Sequence, residues 1–268
     1  MAILDGSHGA GGLEDLHTLK VRWQGSICFI QMHRPEAQNT INETMIHEFT
    51  VVMQRCVTEA TVVVVEGLPE VFCFGADFGE VQEQHQDNSP SKSPGPLYDL
   101  WLQLATGPFI SVAHVRGKVN AGGVGFVAAC DIVLSDETAV FSLSELLFGL
   151  MPACVLPFLV RRTGVAKANY MTAMTQPVNV QQAQEWGLVD ATEEKSVNLL
   201  RRHLLRLRRL NKKAVQRYKN YLAQMSPELQ NFRERALQAN LDVFSDADNL
   251  AAINRYVTTG QFPWEQVS

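Results

Sequence analysis

The chain has 268 residues, which is long enough for one large domain or for one domain followed by a helical tail. Its composition, with 46% hydrophobic and 19% charged residues, is that of an ordinary globular protein, and its net charge of −5 argues against a nucleic-acid-binding protein. Since we find neither an apolar run of membrane-spanning length nor a secretory signal, we expect a cytoplasmic protein without a membrane partner, and a flexible leader over residues 1–17.

Short β-rich segments alternate with helical segments through the first two thirds of the chain. Strands are predicted at residues 27–33, 61–66, 109–115 and 130–135, and helices at about 41–56 and 97–105. The valine run at 62–65 is too apolar for a strand with one face in water. Residues 89–96, rich in Ser, Pro and Gly, predict a flexible loop. From Pro152 onward almost every segment favours helix. The layout is therefore an alternating body over 18–190 and a helical region over 191–268.

The cysteines and histidines predict neither disulfides nor a metal site. The cysteine count is odd and each thiol lies in an apolar segment, so we expect reduced thiols, as in the cytoplasm. The five are Cys28, Cys56, Cys73, Cys130 and Cys154. No two histidines lie one helical turn apart, and no cysteine has the spacing of a metal ligand.

A cluster of glycines follows the strand predicted at 109–115. Gly122, Gly123 and Gly125 lie between two apolar runs, where a backbone N–H can approach a ligand because no Cβ intervenes. A helix that begins at such a turn points its free N–H groups and positive dipole end at the ligand, which is how an oxyanion hole is built. The same glycines would also permit tight packing of a helix on a sheet.

A single carboxylate, Glu145, lies in the mostly apolar segment 141–149. Backbone donors together with one carboxylate suit the removal of a proton next to a thioester carbonyl, because the donors stabilise the enolate oxygen. A carboxylate at the start of a helix, favoured there by the helix dipole, is the alternative interpretation. Tyr98 and Trp101, three residues apart, predict a core or a pocket wall.

The order of several motifs resembles that of the crotonase (enoyl-CoA hydratase) superfamily over residues 18–260. These motifs are RPEAQN at 34–39, FCFGAD at 72–77, the glycine segment 117–125 with CDI at 130–132, and FSLSELLFG at 141–149. The resemblance implies an α/β fold, a crotonase-like ββα spiral with two roughly perpendicular sheets and a C-terminal helical region for oligomerisation. It also implies a homotrimer or a dimer of trimers.

A finer resemblance is to the PksH-type dehydratases of polyketide β-branching. It rests on residues 69–77, 98–101, 115–123 and 260–265. It implies dehydration of an (S)-3-hydroxy-3-methylglutaryl thioester on an acyl carrier protein to the 3-methylglutaconyl thioester. No cofactor is implied beyond the phosphopantetheine that carries the substrate.

The family's functional positions carry over residue by residue. Its oxyanion-hole amides fall on Phe74 and Gly122, and the later of its two catalytic glutamates falls on Glu145. The earlier one falls on Gly125, which cannot transfer a proton. One-carboxylate reactions therefore stay open: dehydration, double-bond isomerisation or thioester hydrolysis. An enoyl thioester isomerase or a CoA-linked hydratase is the alternative to the carrier-linked dehydratase. An anti elimination would need a second acid, for which Lys118 and Asn120 are candidates.

A basic segment at 199–213 predicts an amphipathic helix. Val197, Leu200, Leu204 and Leu207 form an apolar stripe at helical spacing. The outer face would carry Arg201, Arg202, Arg206, Arg208, Arg209, Lys212 and Lys213. These side chains form either a solvated face or a docking surface for an acidic carrier protein. A non-catalytic carrier-protein or RNA-binding scaffold is a further alternative. The lack of interleaved aromatics, the glycine turn and Glu145 argue against it.

Overall fold

The computed structural model describes residues 16–80 and 93–265. Most of the predicted leader and the first part of the predicted loop at 89–96 lie outside the described residues. Among the described residues, no helix is long and apolar enough to cross a membrane.

The described elements follow the predicted alternation of strands and helices. The strands are β1 (Leu19–Gln24), β2 (Ile27–Met32), β3 (Val62–Glu66), β4 (Val71–Cys73), β5 (Ile110–Val115), β6 (Lys118–Asn120), β7 (Ile132–Ser135), β8 (Val140–Ser142), β9 (Val178–Asn179) and β10 (Ala191–Thr192). The helices are α1 (Glu43–Glu59), α2 (Gly95–Thr106), α3 (Gly122–Ala129), α4 (Leu156–Met174), α5 (Val180–Glu185), α6 (Ser196–Leu207), α7 (Lys212–Met225), α8 (Glu228–Asn231), α9 (Arg233–Phe244) and α10 (Ala247–Thr259). Short 3-10 helices cover Pro35–Ala37 and Glu145–Phe148.

Successive strands join two sheets in turn. The six-stranded sheet has the order β1-β2-β3-β5-β7-β10, and the four-stranded sheet has the order β4-β6-β8-β9. Each of the pairs β3–β4, β5–β6 and β7–β8 therefore puts its first strand in the large sheet and its second in the small one. This repetition is the ββα spiral that the sequence predicts. The last strand of the large sheet, β10, lies just beyond the predicted body at 18–190.

The large sheet is covered on both faces, which explains the valine run. Val62, Val63, Val64 and Val65 are all fully buried. Val63 and Val65 belong to the main core, whereas Val62 and Val64 pack in a second cluster with leucines of α6. A strand buried on both sides needs apolar residues at every position, so the alternating pattern of an exposed sheet is absent.

Side-chain caps set the start of the helix that leads into the site. The Oδ1 atom of Asn42 accepts a hydrogen bond from the Met45 amide at 2.9 Å, which satisfies one of the free N–H groups of α1. Asn39, fully buried just before it, donates to the backbone oxygens of Met32 and Phe72. These bonds fix the chain between β2 and α1 against β4, where the cavity described below begins.

Candidate active site

The predicted site residues meet at one cavity of about 630 Å³. Its wall includes Phe74, Asn120, Gly122 and Glu145, together with the ring of Trp101. The cavity lies where β4, β6 and β8 end, and side chains of α9, α10 and the C-terminal segment close its far side. The topology thus brings together residues that are more than 70 positions apart in the chain.

The proposed oxyanion donors lie at the ends of two adjacent parallel strands. β4 pairs with β6, with Cys73 opposite Val119, so Phe74 and the Ala121–Gly122 turn leave the sheet side by side. A Cβ placed on Gly75 would lie only 3.5 Å from the Gly122 nitrogen, which shows how closely the two turns approach. Gly75 also has a φ of +96°, a conformation that favours glycine.

The turn before α3 holds a strained residue. Ala121 has φ 49° and ψ −119°, a region that L-residues with a side chain rarely occupy. Its amide donates to the Ser142 oxygen of β8 at 3.0 Å, which helps to hold this conformation. Because Gly122 is the first residue of α3, its N–H lacks an intrahelical acceptor and is available to a ligand. Strain of this kind is found at sites whose backbone must point in a fixed direction.

Glu145 begins the 3-10 helix that follows β8. Its Oε2 atom is buried and has no hydrogen-bond partner. Burial raises the pKa of this carboxyl from 4.5 to about 7, although the amides of Glu145 and Ser144 act in the opposite direction. Near neutral pH the group is therefore present in both its charged and its protonated form, so it can take up a proton and release it.

Asn120 links the oxyanion turn to the Glu145 segment. Its Nδ2 atom donates to Ser144 Oγ at 3.1 Å and to the Phe74 oxygen at 3.4 Å. Its Oδ1 atom accepts from Ser142 Oγ at 2.8 Å. The amide is thus held among three neighbours and orients the residues beside Phe74 and Glu145. An amide does not supply a proton, so this arrangement suits positioning and not the role of a second acid.

The place of a second carboxylate is filled by an aromatic ring. A Cβ on Gly125 would lie 2.5 Å from Cζ2 of Trp101, far inside van der Waals contact. Trp101 is 1% exposed and packs edge-on against Phe126 and Phe158, so the ring has no room to retreat. Trp101 in this position therefore requires glycine at residue 125, and any larger residue there is excluded while the tryptophan keeps this position.

A methyl group at residue 125 is expected to destabilise the fold. Gly125→Ala forces overlap with the Trp101 ring, and overpacking of this kind costs about 1–3 kcal/mol. We expect a lower midpoint of urea unfolding for Gly125→Ala. The loss should be much smaller in a Trp101→Phe background, which lacks the overlapping ring atoms. Equal losses in both backgrounds would mean that Trp101 is not the residue that restricts position 125.

Comparison with known proteins agrees with these features. The enoyl-CoA hydratase/isomerase family matches residues 22–267. The chain belongs to this family. It is 59% identical over 250 residues to the bacillaene synthase dehydratase PksH of Bacillus subtilis (strain 168), covering 92% of this chain and 96% of that one. It is 30% identical to the enoyl-CoA hydratase AKT6-1 of Alternaria alternata, over 69% of this chain and 62% of the relative.

Solved structures of enoyl-CoA hydratase/isomerase proteins share the fold. The crystal structure of a Bacillus subtilis protein assigned as a polyketide biosynthesis enoyl-CoA hydratase (pksH) has a TM-score of 0.91 at 57% identity, covering 93% of this chain and all of that one. A second structure, from Acinetobacter baumannii, has a TM-score of 0.80 at 22% identity, covering 90% of this chain and all of that one. The predicted crotonase fold and the family resemblance are both confirmed.

The two residues predicted to assist as acids, Lys118 and Asn120, have different surroundings in this enoyl-CoA hydratase/isomerase fold. Asn120 lies in the cavity wall, whereas Lys118, two residues earlier on β6, is exposed and is not part of that wall. The prediction of Lys118 as an assisting acid is therefore wrong for this geometry. The alternation of side chains along a strand does not explain this difference, because residues two positions apart lie on the same face of the strand. What differs is that β6 enters the cavity only at its last residue.

The basic segment also needs correction. Lys212 is not on an outer face: its Nζ atom donates to the backbone oxygens of Ala60 and Pro108, at 2.5 and 2.8 Å, and so caps the end of α1. Val197, predicted to be in the apolar stripe, is 60% exposed, and Leu199 is buried in its place. None of the seven basic residues lines the cavity. Six of them remain exposed: Arg201, Arg202, Arg206, Arg208, Arg209 and Lys213.

The sequence analysis did not predict that C-terminal residues line the cavity. Phe148, which follows Glu145, packs against Tyr256 and Phe262 with ring centroids 5.2 and 5.9 Å apart. All three line the cavity. Phe262 of the segment 260–265 therefore packs against the 3-10 helix that begins at Glu145. The aromatic residues of this segment are visible in the sequence. Their contact with Phe148, more than 100 residues earlier in the chain, follows only from the fold.

The described cavity wall carries no basic side chain. It includes the carboxylates Glu43, Glu80 and Glu145, and neutral hydroxyl or amide groups of residues such as Thr40, Asn42, Thr175 and Asn240. In the same described ranges, no group of three or more His, Cys, Asp or Glu side chains could hold a metal ion. Burial raises the pKa of the Cys154 thiol in this wall to about 12, so it stays protonated.

Proposed function

We propose that this protein dehydrates a 3-hydroxy-3-methylglutaryl thioester carried on an acyl carrier protein, giving the 3-methylglutaconyl thioester of polyketide β-branching. The observation that carries the proposal is the Glu145 carboxylate, whose Oε2 atom is buried, in the same cavity wall as the Phe74 and Gly122 turns, with the second carboxylate position blocked by Trp101. The 59% identity to a polyketide dehydratase supports the same chemistry.

The reaction uses Glu145 twice. Its carboxylate removes a proton from C2, and the enolate oxygen that forms accepts hydrogen bonds from the amides of Phe74 and Gly122. Each such donor contributes about 3 kcal/mol in measured oxyanion holes. The C2–C3 double bond then forms as the C3–O bond breaks, and protonated Glu145 returns its proton to the leaving hydroxyl, which departs as water. One group can do both only if the hydrogen and the hydroxyl leave from the same face.

The substrate needs no cofactor held by the protein, since the phosphopantetheine arm of the carrier presents the thioester. Its distal carboxylate would be bound by neutral donors, because the described wall offers hydroxyl and amide groups. The side-chain amides of Asn42 and Asn240 are the candidates, because the Thr40 hydroxyl already donates to Asp77 Oδ2 and the Thr175 hydroxyl to the Met174 oxygen. Such donors recognise a carboxylate without the strong charge pairing that would also retain the product.

Intact-mass measurement of the carrier protein tests the proposed function. Incubation of the enzyme with the 3-hydroxy-3-methylglutaryl carrier protein should lower the mass by one water. An enoyl isomerase, which a lone carboxylate would also support, leaves the mass unchanged on its own enoyl substrate. Thioester hydrolysis would instead return the carrier with a free thiol. Either of these outcomes without water loss would contradict the proposal.

The exposed basic face gives a separate prediction about the carrier. Replacing Arg201, Arg206 and Lys213 by Ser should leave turnover of a small pantetheine-linked substrate unchanged. If the face docks an acidic carrier, the apparent KM for the carrier-bound substrate should rise severalfold and its salt dependence should flatten, because exposed charges act chiefly on encounter. An unchanged KM with both substrates would leave α6 as a solvated face. None of these three residues lines the cavity, which favours that result over docking at the mouth.

We also propose a homotrimer or a dimer of trimers. Large apolar side chains on α7 and after α8 are exposed in the single chain, namely Tyr218, Tyr221, Met225 and Phe232. Side chains of this kind, grouped on neighbouring helices, are typical of subunit interfaces. Light scattering in solution tests the assembly, since a monomeric mass at micromolar concentration would contradict it.

A further inference from the structure

Two of the described residues in the cavity wall each carry a buried polar atom without a hydrogen-bond partner. Among the described residues, Trp101 Nε1 and Glu145 Oε2 are buried and lack a hydrogen-bond partner, and both residues line the cavity. The indole nitrogen is a donor only, whereas the carboxylate oxygen is an acceptor. A buried polar group without a partner costs about 1–3 kcal/mol, so such groups call for an explanation. Other unpaired atoms, such as Trp23 Nε1, belong to residues outside this wall.

The Trp101 ring lies beside the acyl-binding turn. Its Cζ2 atom is 3.8 Å from the Cβ position of Gly122, whose amide is the proposed oxyanion donor. The same atom blocks the Cβ position of Gly125 one helical turn along α3. The ring therefore borders the part of the cavity that follows the thioester carbonyl, where C2 and C3 of the acyl chain would lie.

We infer that the C3 hydroxyl of the substrate bridges these two atoms, accepting a hydrogen bond from Trp101 Nε1–H and donating one to Glu145 Oε2. The inference rests on the proposed function. A hydroxyl has one donor and two acceptor sites, so it satisfies the indole donor and the carboxylate acceptor at the same time. A simple acyl chain without a hydroxyl would leave both atoms unpaired.

This bridge assigns Trp101 a role in choosing the substrate and in the departure of the hydroxyl. The indole N–H does not give up its proton under physiological conditions. It orients the hydroxyl toward Glu145 and stabilises the negative charge that grows on oxygen as the C3–O bond breaks. Glu145 then supplies the proton that completes the water. The aromatic ring that excludes a second carboxylate thereby contributes a neutral donor in its place.

The test compares a substrate that has the hydroxyl with an inhibitor that lacks it. The probes are 3-hydroxy-3-methylglutaryl pantetheine as substrate and 3-methylglutaryl pantetheine as competitive inhibitor. Trp101→Phe removes the N–H and keeps an aromatic ring, so kcat/KM should fall about tenfold or more, as expected for one lost hydrogen bond to a group that becomes charged. The inhibition constant should change less than about twofold, because the inhibitor never made that bond.

Two further variants separate the N–H from the shape of the ring. Incorporation of 3-benzothienylalanine at position 101 keeps the bicyclic shape without the N–H and should reproduce the loss in kcat/KM. Trp23→Phe removes a second buried, unpaired indole N–H that lies outside the cavity wall, and should leave both constants unchanged. The Trp23→Phe variant controls for the effect of replacing a buried tryptophan by phenylalanine outside the cavity.

Three outcomes overturn the inference while leaving the proposed function intact, provided that the wild-type enzyme releases water. These are a kcat/KM retained within twofold in Trp101→Phe, equal losses for substrate and inhibitor, and full activity of the benzothienyl enzyme. Failure of the wild-type enzyme to release water would instead contradict the proposed function itself.

Discussion

Replacement of Glu145 by Gln is expected to lower kcat by at least about 10²-fold, with little change in substrate affinity. Glutamine keeps the shape of the side chain and removes the base, so proton removal from C2 loses its acceptor. For the wild type, kcat/KM should rise with pH and level off above about 7, because burial raises the Glu145 pKa to about 7 and the free enzyme needs the carboxylate. A folded Glu145→Gln enzyme with near-normal turnover would remove Glu145 from the mechanism.

The same substitution should increase stability at alkaline pH. The Glu145 pKa rises from 4.5 in the unfolded chain to about 7 in the folded protein, so the folded state binds the proton more tightly. Below about pH 4.5 the free energy of unfolding of the wild type, relative to Glu145→Gln, is at its highest. It falls as the pH rises from 4.5 to 7, and above pH 7 it is lower by roughly 3 kcal/mol. Urea unfolding of both proteins at pH 5 and pH 8 measures this difference.

A second carboxylate of the cavity wall serves as the matched control. Glu43→Gln removes a negative charge from the same wall at the start of α1. We expect a change in kcat of only a few fold. Equal losses in Glu43→Gln and Glu145→Gln would show that the cavity needs its total charge and not a base at one position.

Gly122→Val is expected to lower kcat/KM by about 10²-fold or more, the effect of losing one oxyanion donor. A Cβ at this residue already lies 2.9 Å from Ile41 Cδ1, and the two methyl groups of valine would enter the space in front of the amide. The thioester oxygen could then no longer approach the donor. Gly122→Ala should be milder, because only the flexible tip of Ile41 has to move.

The partner donor provides the control for this prediction. Phe74 contributes its backbone amide, so Phe74→Leu changes a cavity side chain and keeps the donor. Its kcat/KM should stay within several fold of the wild type. Full activity of a folded Gly122→Val protein, or equal damage by both substitutions, would contradict the assignment of these amides.

The parts of the fold that depend on local pattern are predictable from the sequence. The valine run of β3 indicated a strand buried on both faces, and the segment 41–56 indicated helix α1, because both signals depend on neighbours within a few residues. Phe74, Gly122 and Glu145 were named as site residues through the motif order, and the fold brings them to one cavity. Their chemical roles remain proposals.

The parts that depend on distant contacts could not be predicted. Lys212 has the sequence context of an exposed basic helix, yet it caps carbonyl groups more than 100 residues away. The sequence shows that residue 125 is not a carboxylate. It does not show the physical reason, which is that the ring of Trp101, from another helix, occupies the space of a side chain at this position. Val197 fits the helical period of the buried stripe, and only the position of α6 on the sheet shows that it faces outward.

The stereochemistry of water loss tests the central claim that one carboxylate does both proton transfers. The substrate is prepared with deuterium at either of the two C2 positions, and the product is analysed by mass. If Glu145 serves as both base and acid, the hydrogen on the same face as the hydroxyl must always be the one removed. The predicted result is that the product loses deuterium placed on the same face as the hydroxyl and retains deuterium placed on the opposite face. Removal of the hydrogen on the opposite face would require a second acid and would contradict the mechanism.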